Sequence, residues 1–475
     1  MDTSTIFRYI RIIVLVGIFA VVFKFVGGEQ LQYSVVTGKM PEQENLLSEP
    51  KNGTVVEQRF RANVDYIQTI SFRPFTYGRE NQGMIDFQLL DSKGRTVVST
   101  VAEAAACMND VQYIMSFGKN IPVNRNQMYT LRMIFHGVEG SNPTLYYSTM
   151  ESNLLKTEDT LTVDGNKIEG FLCISVDGLK KEIFGTYYWG FVLGFIVLLV
   201  AYAAWSGYQG RRGKFTIATL FIAIWIKYKF LIQQLVSRDF KVKYKRSVLG
   251  YCWSFLNPLL TMLVQYIVFS TLFKTGIENY PVYLLSGNII FSFFTEAVGQ
   301  GLMSIIGNAS LITKVYVPKY IYPATKVISC SINLFISIIP LLIVTLLTGG
   351  KINLTLLLLP YALACLLVFC MGMVLLLSAA NVFFRDVQYL WGIASLVWMY
   401  ATPLFYPAEI IPENLRFIQT INPMFHIISF VRSILIYGVS PSPELYLSCF
   451  MGAIVTFAIG AIVFKKTQGK FVLYI

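Results

Sequence analysis

Eight apolar runs in this chain approach or exceed the thickness of a lipid bilayer. A helix rises about 1.5 Å per residue, so roughly 20 apolar residues cross the hydrocarbon core. The runs are residues 7–25, 187–208, 251–273, 283–305, 321–347, 354–382, 387–405 and 445–464. The composition agrees: 55% of the 475 residues are hydrophobic and only 14% charged, against about 25% charged in soluble domains. The expected fold class is a polytopic α-helical membrane protein with eight spans and, between the first two, an inserted extracytoplasmic β-sandwich.

The β-sandwich is read from residues 28–185, where apolar and polar residues alternate in short runs broken by turn signals. The runs 55–60, 66–72, 84–90, 129–135, 145–149 and 170–176 have the period of half-buried strands. Asp91-Ser92-Lys93-Gly94 and Asp164-Gly165-Asn166 mark turns. Cys107 and Cys173 share this region and could form one disulfide, which spacing alone does not decide. Cys252, Cys330, Cys365, Cys370 and Cys449 sit in or beside apolar runs and are expected to pack as small hydrophobes.

Charge sets the orientation. The net charge is +12, but residues 28–185 carry −4 and the remainder +16. That excess lies in short loops beside apolar runs, the positive-inside pattern rather than a nucleic-acid surface. With both termini in the cytoplasm, nineteen Lys/Arg fall in loops and tails on the inner side and, outside the β domain, five on the outer side, Arg432 among the five. Residues 1–27 then form an uncleaved N-terminal transmembrane helix, because no small-residue cleavage pattern follows the apolar run. Residues 28–185 form the extracytoplasmic domain, 186–208 the second transmembrane helix, 209–250 a cytoplasmic basic segment and 251–475 a six-helix core. Within the basic segment, residues 215–226 are apolar but too short to span and are expected at the interface.

Residues 236–251 read as a basic amphipathic helix in the membrane plane. On a helical wheel Phe240, Tyr244, Val248 and Tyr251 share one face. Arg238, Asp239, Lys245 and Arg246 lie opposite, with Lys241 and Lys243 at the edges. A cationic anchor to lipid explains this pattern, and so does a docking surface for a soluble partner. Docking gains weight because the helix leads straight into a spanning run.

Four motifs in order then carry a resemblance. They are Arg238-Asp239-Phe240-Lys241-Val242-Lys243-Tyr244-Lys245 with Val248 to Pro258; Asn308-Ala309-Ser310-Leu311-Ile312-Thr313-Lys314-Val315-Tyr316-Val317-Pro318-Lys319; Phe383-Phe384-Arg385-Asp386-Val387-Gln388; and Pro403-Leu404-Phe405-Tyr406-Pro407 with Ile411-Pro412 and Asn422-Pro423. Over roughly residues 225–475 the chain resembles permease subunits of type-2 ATP-binding-cassette exporters of O-antigen, teichoic acid and capsular polysaccharide. Residues 28–185 and their flanking helices lie outside the resemblance.

The resemblance implies a homodimer with a channel between two six-helix units, a lipid-linked glycan as substrate, and two copies of a nucleotide-binding ATPase subunit that hold ATP and magnesium. It implies that Arg238, Asp239, Lys241, Lys243 and Lys245, with Lys314, Pro318 and Lys319, contact that subunit. It places aromatic residues of the first and fifth core helices along the channel: Tyr251, Trp253, Phe255, Tyr266, Phe269, Trp391 and Trp398. Arg385 and Asp386 fall in a cytoplasmic turn.

The residues themselves fit this frame. No Walker A pattern occurs: Gly213-Lys214 and Gly469-Lys470 lack both the upstream glycine and the following Ser/Thr. The chain is therefore expected to be no enzyme and to hold no cofactor. Glu296 is the main intramembrane carboxylate of the core and is expected to face water or the dimer interface; a proton relay usually needs several such groups. Four prolines between residues 403 and 423 predict broken, partly re-entrant helices. His136 and His426 are isolated, and neither a metal site nor a nucleophilic triad is expected. The rival readings are an exporter of a drug or small lipid and an envelope sensor. A membrane glycosyltransferase would need clustered carboxylates, which the seven scattered acidic residues from Asp239 onward do not supply.

Overall fold

The computed structural model describes residues 3–38, 40–41, 45–137, 140–149, 160–212, 217–244, 249–250, 252–272, 277–315, 317–350 and 353–475. The chain forms two compact units. One comprises residues 31–188, the other residues 1–30 with 189–475.

Residues 31–188 fold as antiparallel sheets around a shared apolar core. Six strands run in the order Asn166–Ile168, Leu161–Val163, Val55–Arg61, Met128–His136, Met84–Leu90 and Thr96–Glu103. Four more run in the order Tyr33–Val36, Ile174–Lys181, Tyr66–Phe72 and Tyr113–Pro122. A third, smaller sheet centres on Thr144–Ser148, which pairs with Phe171–Leu172, Asn45–Leu46 and Pro74–Phe75. The period-2 pattern sets the register: Ile85, Phe87 and Leu89 stand opposite Phe135, Met133 and Leu131. All six point into one core with Ile67, Ile70 and Phe72 from the second sheet. The two turns read from sequence bring Asp164 to φ +49 and Gly94 to φ +77. Cys107 and Cys173 are buried and no disulfide joins them. Burial pushes the Cys107 thiol up to about 11.

The other unit is helical. Its main helices are α1 (Thr3–Gly27), α2 (Tyr188–Arg211), α3 (Ile217–Tyr244), α4 (Cys252–Leu272), α5 (Tyr280–Leu302), α6 (Ile321–Leu347), α7 (Leu359–Phe383), α8 (Val387–Ala401), α9 (Pro423–Arg432) and α10 (Pro443–Thr467). Among the described residues, six stretches are long and apolar enough to cross a membrane: Tyr188–Gln209, Cys252–Phe269, Tyr280–Leu302, Ile321–Leu347, Leu354–Phe383 and Pro443–Tyr474. The chain is thus a multi-pass membrane protein. α5 and α7 form its interior, whereas α2 and α4 leave most of their apolar side chains uncovered. α7 and α10 approach backbone to backbone. A Cβ on Gly460 would lie 2.1 Å from the Gly372 carbonyl oxygen, and one on Gly372 would lie 2.5 Å from the Phe457 nitrogen. Small residues at such crossings let helices pack by van der Waals contact where no hydrophobic drive exists.

Three expectations change. Residues 217–226 do not form a short helix of their own; they begin the 28-residue helix α3. The segment 387–405 is not one straight span. α8 has 15 residues and stops at Thr402, so it reaches only about 22 Å. Arg432 is not a loop charge; it is 6% exposed at the end of α9. The proline-rich stretch is broken as expected, into short turns at Ala408–Ile410 and Glu413–Leu415 and short helices Arg416–Ile421 and α9.

Candidate functional site

The motif residues of α3 meet the core through a stripe the wheel did not select. Ile232 and Leu235 are buried in a cluster with Ile305, Ile321, Tyr322, Leu375 and Phe464. One helical turn onward the same stripe presents Asp239, and one further turn Lys243, at the i, i+4, i+8 spacing of a single helix face. Asp239 Oδ2 accepts a hydrogen bond from Lys326 Nζ of α6 at 2.6 Å. Lys243 Nζ donates to Glu296 Oε1 of α5 at 2.5 Å, and Gln300 Nε2 donates to the same oxygen at 2.9 Å. Asp239, assigned from sequence to the outward polar face, is thus turned inward with its side chain 11% exposed. Glu296 does not simply face water: it anchors α3 to the core.

Arg238 links two of the four motifs. Its Nη2 lies 3.2 Å from Asp239 Oδ1 and donates to Asn308 Oδ1 at 3.4 Å. Asn308 Nδ2 in turn donates to the Ser304 carbonyl at 2.7 Å. Lys241 and Lys314 are exposed, and Pro318 is half-buried. Lys319 points inward: its Nζ donates to the Gln468 carbonyl at 2.6 Å and lies 5.7 Å from the centre of the Phe471 ring. Desolvation lowers its pKa below the ordinary lysine value. Lys245 and Tyr251 fall outside the described residues. Arg385 and Asp386 are exposed in the turn that opens α8.

Above this ionic layer a cleft of about 310 Å³ opens between α4, α5 and α6. Its wall is polar for a membrane interior: Ser254, Asn257, Thr261, Asn288, Ser292, Asn333 and Ser337, with Lys243 and Glu296 at one end. Side-chain bonds tie the helices together there. Ser337 Oγ donates to the Ser254 carbonyl at 3.0 Å, Ser254 Oγ to Asn333 Oδ1 at 3.2 Å, and Asn288 Nδ2 to Gln265 Oε1. Sequence reasoning passed over these residues because each serine or asparagine is unremarkable in its own run. Only the packing of three helices lines them along one wall.

The predicted channel aromatics divide into two groups. Trp253 and Tyr266 are exposed on α4, Trp253 beside the cleft, and Phe255 is half-buried. Phe269 stacks on Phe405, with centroids 5.4 Å apart and planes at 4°. Trp391 and Trp398 instead point into the helical unit. Their rings sit 5.6 and 5.1 Å from Phe294, edge to face, and Trp398 Nε1 donates to Asn422 Oδ1 at 2.8 Å. The exposed face of α8 is carried by Tyr389, Leu390, Ile393, Val397 and Tyr400.

At the opposite end of α5 lies a second polar centre. Arg432 Nη1 donates to the Pro403 carbonyl at 2.8 Å, and Nη2 to the carbonyls of Leu404 and Tyr283 at 3.1 and 3.2 Å. Its guanidinium carbon is 3.3 Å from the centroid of the Tyr283 ring. The Tyr283 hydroxyl donates to the Tyr406 carbonyl at 2.7 Å, and Tyr280 to Phe405 at 2.7 Å. Asn422 caps α9 by accepting from the Met424 backbone N–H at 3.0 Å, and donates to Thr402 Oγ1 at 2.8 Å. One buried arginine and two tyrosines therefore satisfy carbonyls that the proline-broken segment leaves without helical partners, while Asn422 takes up the first backbone N–H of α9.

The comparisons with known proteins match this unit. The O-antigen export system permease protein RfbA of Klebsiella pneumoniae is 30% identical over 243 residues, 51% of this chain and 93% of that protein. The protein of the same name from Myxococcus xanthus is 28% identical over 247 residues, 52% of this chain and 95% of its own length. The polysialic acid transport protein KpsM of Escherichia coli is 23% identical over 251 residues, 50% and 94% of the two chains. The family model described as ABC-2 type transporter matches residues 230–436, from the ionic stripe of α3 to the turn that follows Arg432. The chain belongs to the ABC-2 type transporter family, as a membrane permease of that family with an added β unit.

Proposed function

We propose that this chain is the transmembrane subunit of an ATP-driven exporter that moves a lipid-linked cell-surface polysaccharide across the cytoplasmic membrane. The observation that carries the reading is the 30% identity over 93% of an O-antigen export permease. Two copies of the chain form the channel, and two copies of a separate ATPase subunit bind ATP and magnesium. This chain hydrolyses nothing itself. Both termini and the ends of α3 and α5 that carry Asp239, Lys243 and Glu296 face the cytoplasm, and the β unit faces outward.

The inner end supports a coupling role. α3 leads into α4 and is fastened to α5 and α6 by the pairs Lys243–Glu296 and Asp239–Lys326. The Lys243–Glu296 pair is partly solvated, so it can exchange partners at low cost. A push from the ATPase on exposed Lys241 and Lys314 shifts α3 and the segment after Asn308 together, because Arg238 joins them. α4 follows and widens the path lined by Trp253, Phe255, Tyr266 and the polar cleft. Deleting the gene tests the reading. Surface polysaccharide is expected to vanish while its lipid-linked form accumulates inside the cell; undiminished surface polysaccharide contradicts it.

A further inference from the structure

We propose that the β unit carries a saccharide-binding site built on Phe75, Tyr77 and Tyr146, and that its ligand is a segment of the polysaccharide being exported. The identity of that ligand rests on the proposed function; the site itself rests on the following geometry. The strand Pro74–Phe75 pairs with Thr144–Ser148, with Phe75 opposite Thr144. This gathers three rings: Phe75 lies 4.9 Å from Tyr77 and 5.9 Å from Tyr146, each pair edge to face. Hydrogen-bonding groups surround them. The Arg79 guanidinium sits 4.9 Å over the Tyr77 ring and is ion-paired to Glu49. The Tyr146 hydroxyl donates to Asp110 Oδ1 at 2.7 Å, and Asn109 Nδ2 lies 3.4 Å from Asp110 Oδ2.

The backbone supplies an independent observation. Tyr77 has φ +55 and Asp110 φ +57. A bulky residue in the left-handed region is a genuine outlier, and such strain collects at ligand sites. Packing does not repay it at Tyr77, whose side chain remains 44% exposed. The strained turn presents the ring to solvent rather than burying it. A pyranose fits this arrangement, because its C–H face packs on an aromatic ring while its rim of hydroxyls bonds to carboxylate, amide and guanidinium. Anionic lipid fits poorly, with the Asp110 and Glu49 carboxylates beside the rings. A protein partner would use exposed Met108 and Val111 (67% and 53%), which lie close in sequence to Asp110.

The test uses the full chain in lipid nanodiscs. The probe is surface polysaccharide from cells carrying this chain, freed of lipid by mild acid, and binding is read by calorimetry. The wild-type chain is expected to bind. Tyr77→Gly removes the ring and suits the positive φ, so it is expected to fold at least as well and to bind at least about tenfold more weakly. Phe75→Leu and Arg79→Gln provide the same test should Tyr77→Gly alter the fold. Met108→Ser/Val111→Ser is expected to bind as wild type. The site is overturned if the wild-type chain ignores the delipidated glycan, if the ring variants bind normally, or if only the Met108/Val111 variant loses binding. If the wild-type chain fails to bind while cells carrying it display normal surface polysaccharide, the site is overturned and the exporter reading stands.

Discussion

At one end of α5, Lys243 and Asp239 of α3 are held by opposite charges; at the other end, Arg432 of α9 is held by three carbonyls and a ring. Glu296 and Tyr283 lie thirteen positions apart, about 20 Å along the helix. The Lys243–Glu296 pair is reached by water, its side chains 38% and 31% exposed, whereas Lys326–Asp239 is largely covered, at 18% and 11%. Arg432 is buried and, among the described residues, meets no carboxylate. A solvated ion pair contributes little and can be exchanged, whereas a buried guanidinium with fixed carbonyl acceptors is costly to move. The difference assigns motion to the end where α3 joins the core and rigidity to the proline-broken end.

Variants can break this comparison. The largest effect is expected for Arg432→Ala, which removes the guanidinium bonds to the Pro403, Leu404 and Tyr283 carbonyls and opens a cavity beneath Tyr283. A loss of about 3–5 kcal/mol is expected, read as a large drop in apparent melting temperature by fluorescence-detected size exclusion. Arg432→Lys keeps the charge but loses the planar fork and should recover only part of it. An Arg432→Ala chain as stable as wild type would remove the rigid end.

Asp239→Ala comes next. It strands Lys326 and should cost about 1–3 kcal/mol, mostly regained when Lys326→Met is added. Failure of the second change to rescue would mean the pair is not the interaction lost. Lys243→Glu should cost only ~0.5–1 kcal/mol in stability yet uncouple ATP hydrolysis from export. Adding Glu296→Lys should restore coupling, and a chain that couples normally with Lys243→Glu alone would contradict the role given to the pair.

Lys319 carries the smallest effect and a pH sign. It resembles Arg432 in resting on a carbonyl and near a ring, and desolvation lowers its pKa. The folded chain therefore releases this proton before the unfolded chain does. Between the folded and the ordinary lysine pKa, stability should rise with pH, and Lys319→Met should flatten that rise. An unchanged alkaline slope would show that Lys319 is not the group responsible.

Much of the fold was legible because bilayer thickness dictates run length and the pleat dictates alternation. The strands Tyr66–Phe72 and Met84–Leu90 appear where alternation placed them. α8 misled because its apolar run continues through Thr402, which Pro403 forces into extended backbone and so ends the helix. The site was less legible. The wheel placed Asp239 by local amphipathicity, but its orientation is decided by Lys326, 87 residues away. Arg432 was counted among loop charges because no local signal tells a buried arginine from an exposed one. Trp391 and Trp398 look like channel lining from their helix alone, until Phe294 of α5 occupies their faces.

The central claim, a mobile end where α3 joins the core (inner in the proposed topology) and a fixed proline-broken end (outer), is open to one direct measurement. Spin labels on Val242→Cys and Gly299→Cys report the inner end, and labels on Glu278→Cys and Tyr437→Cys the outer end. With the ATPase subunit in nanodiscs, distances are recorded with and without trapped ATP. The account predicts that the 242–299 distance distribution changes while the 278–437 distribution stays put. An unchanged inner distance, or a change confined to the outer pair, would contradict it.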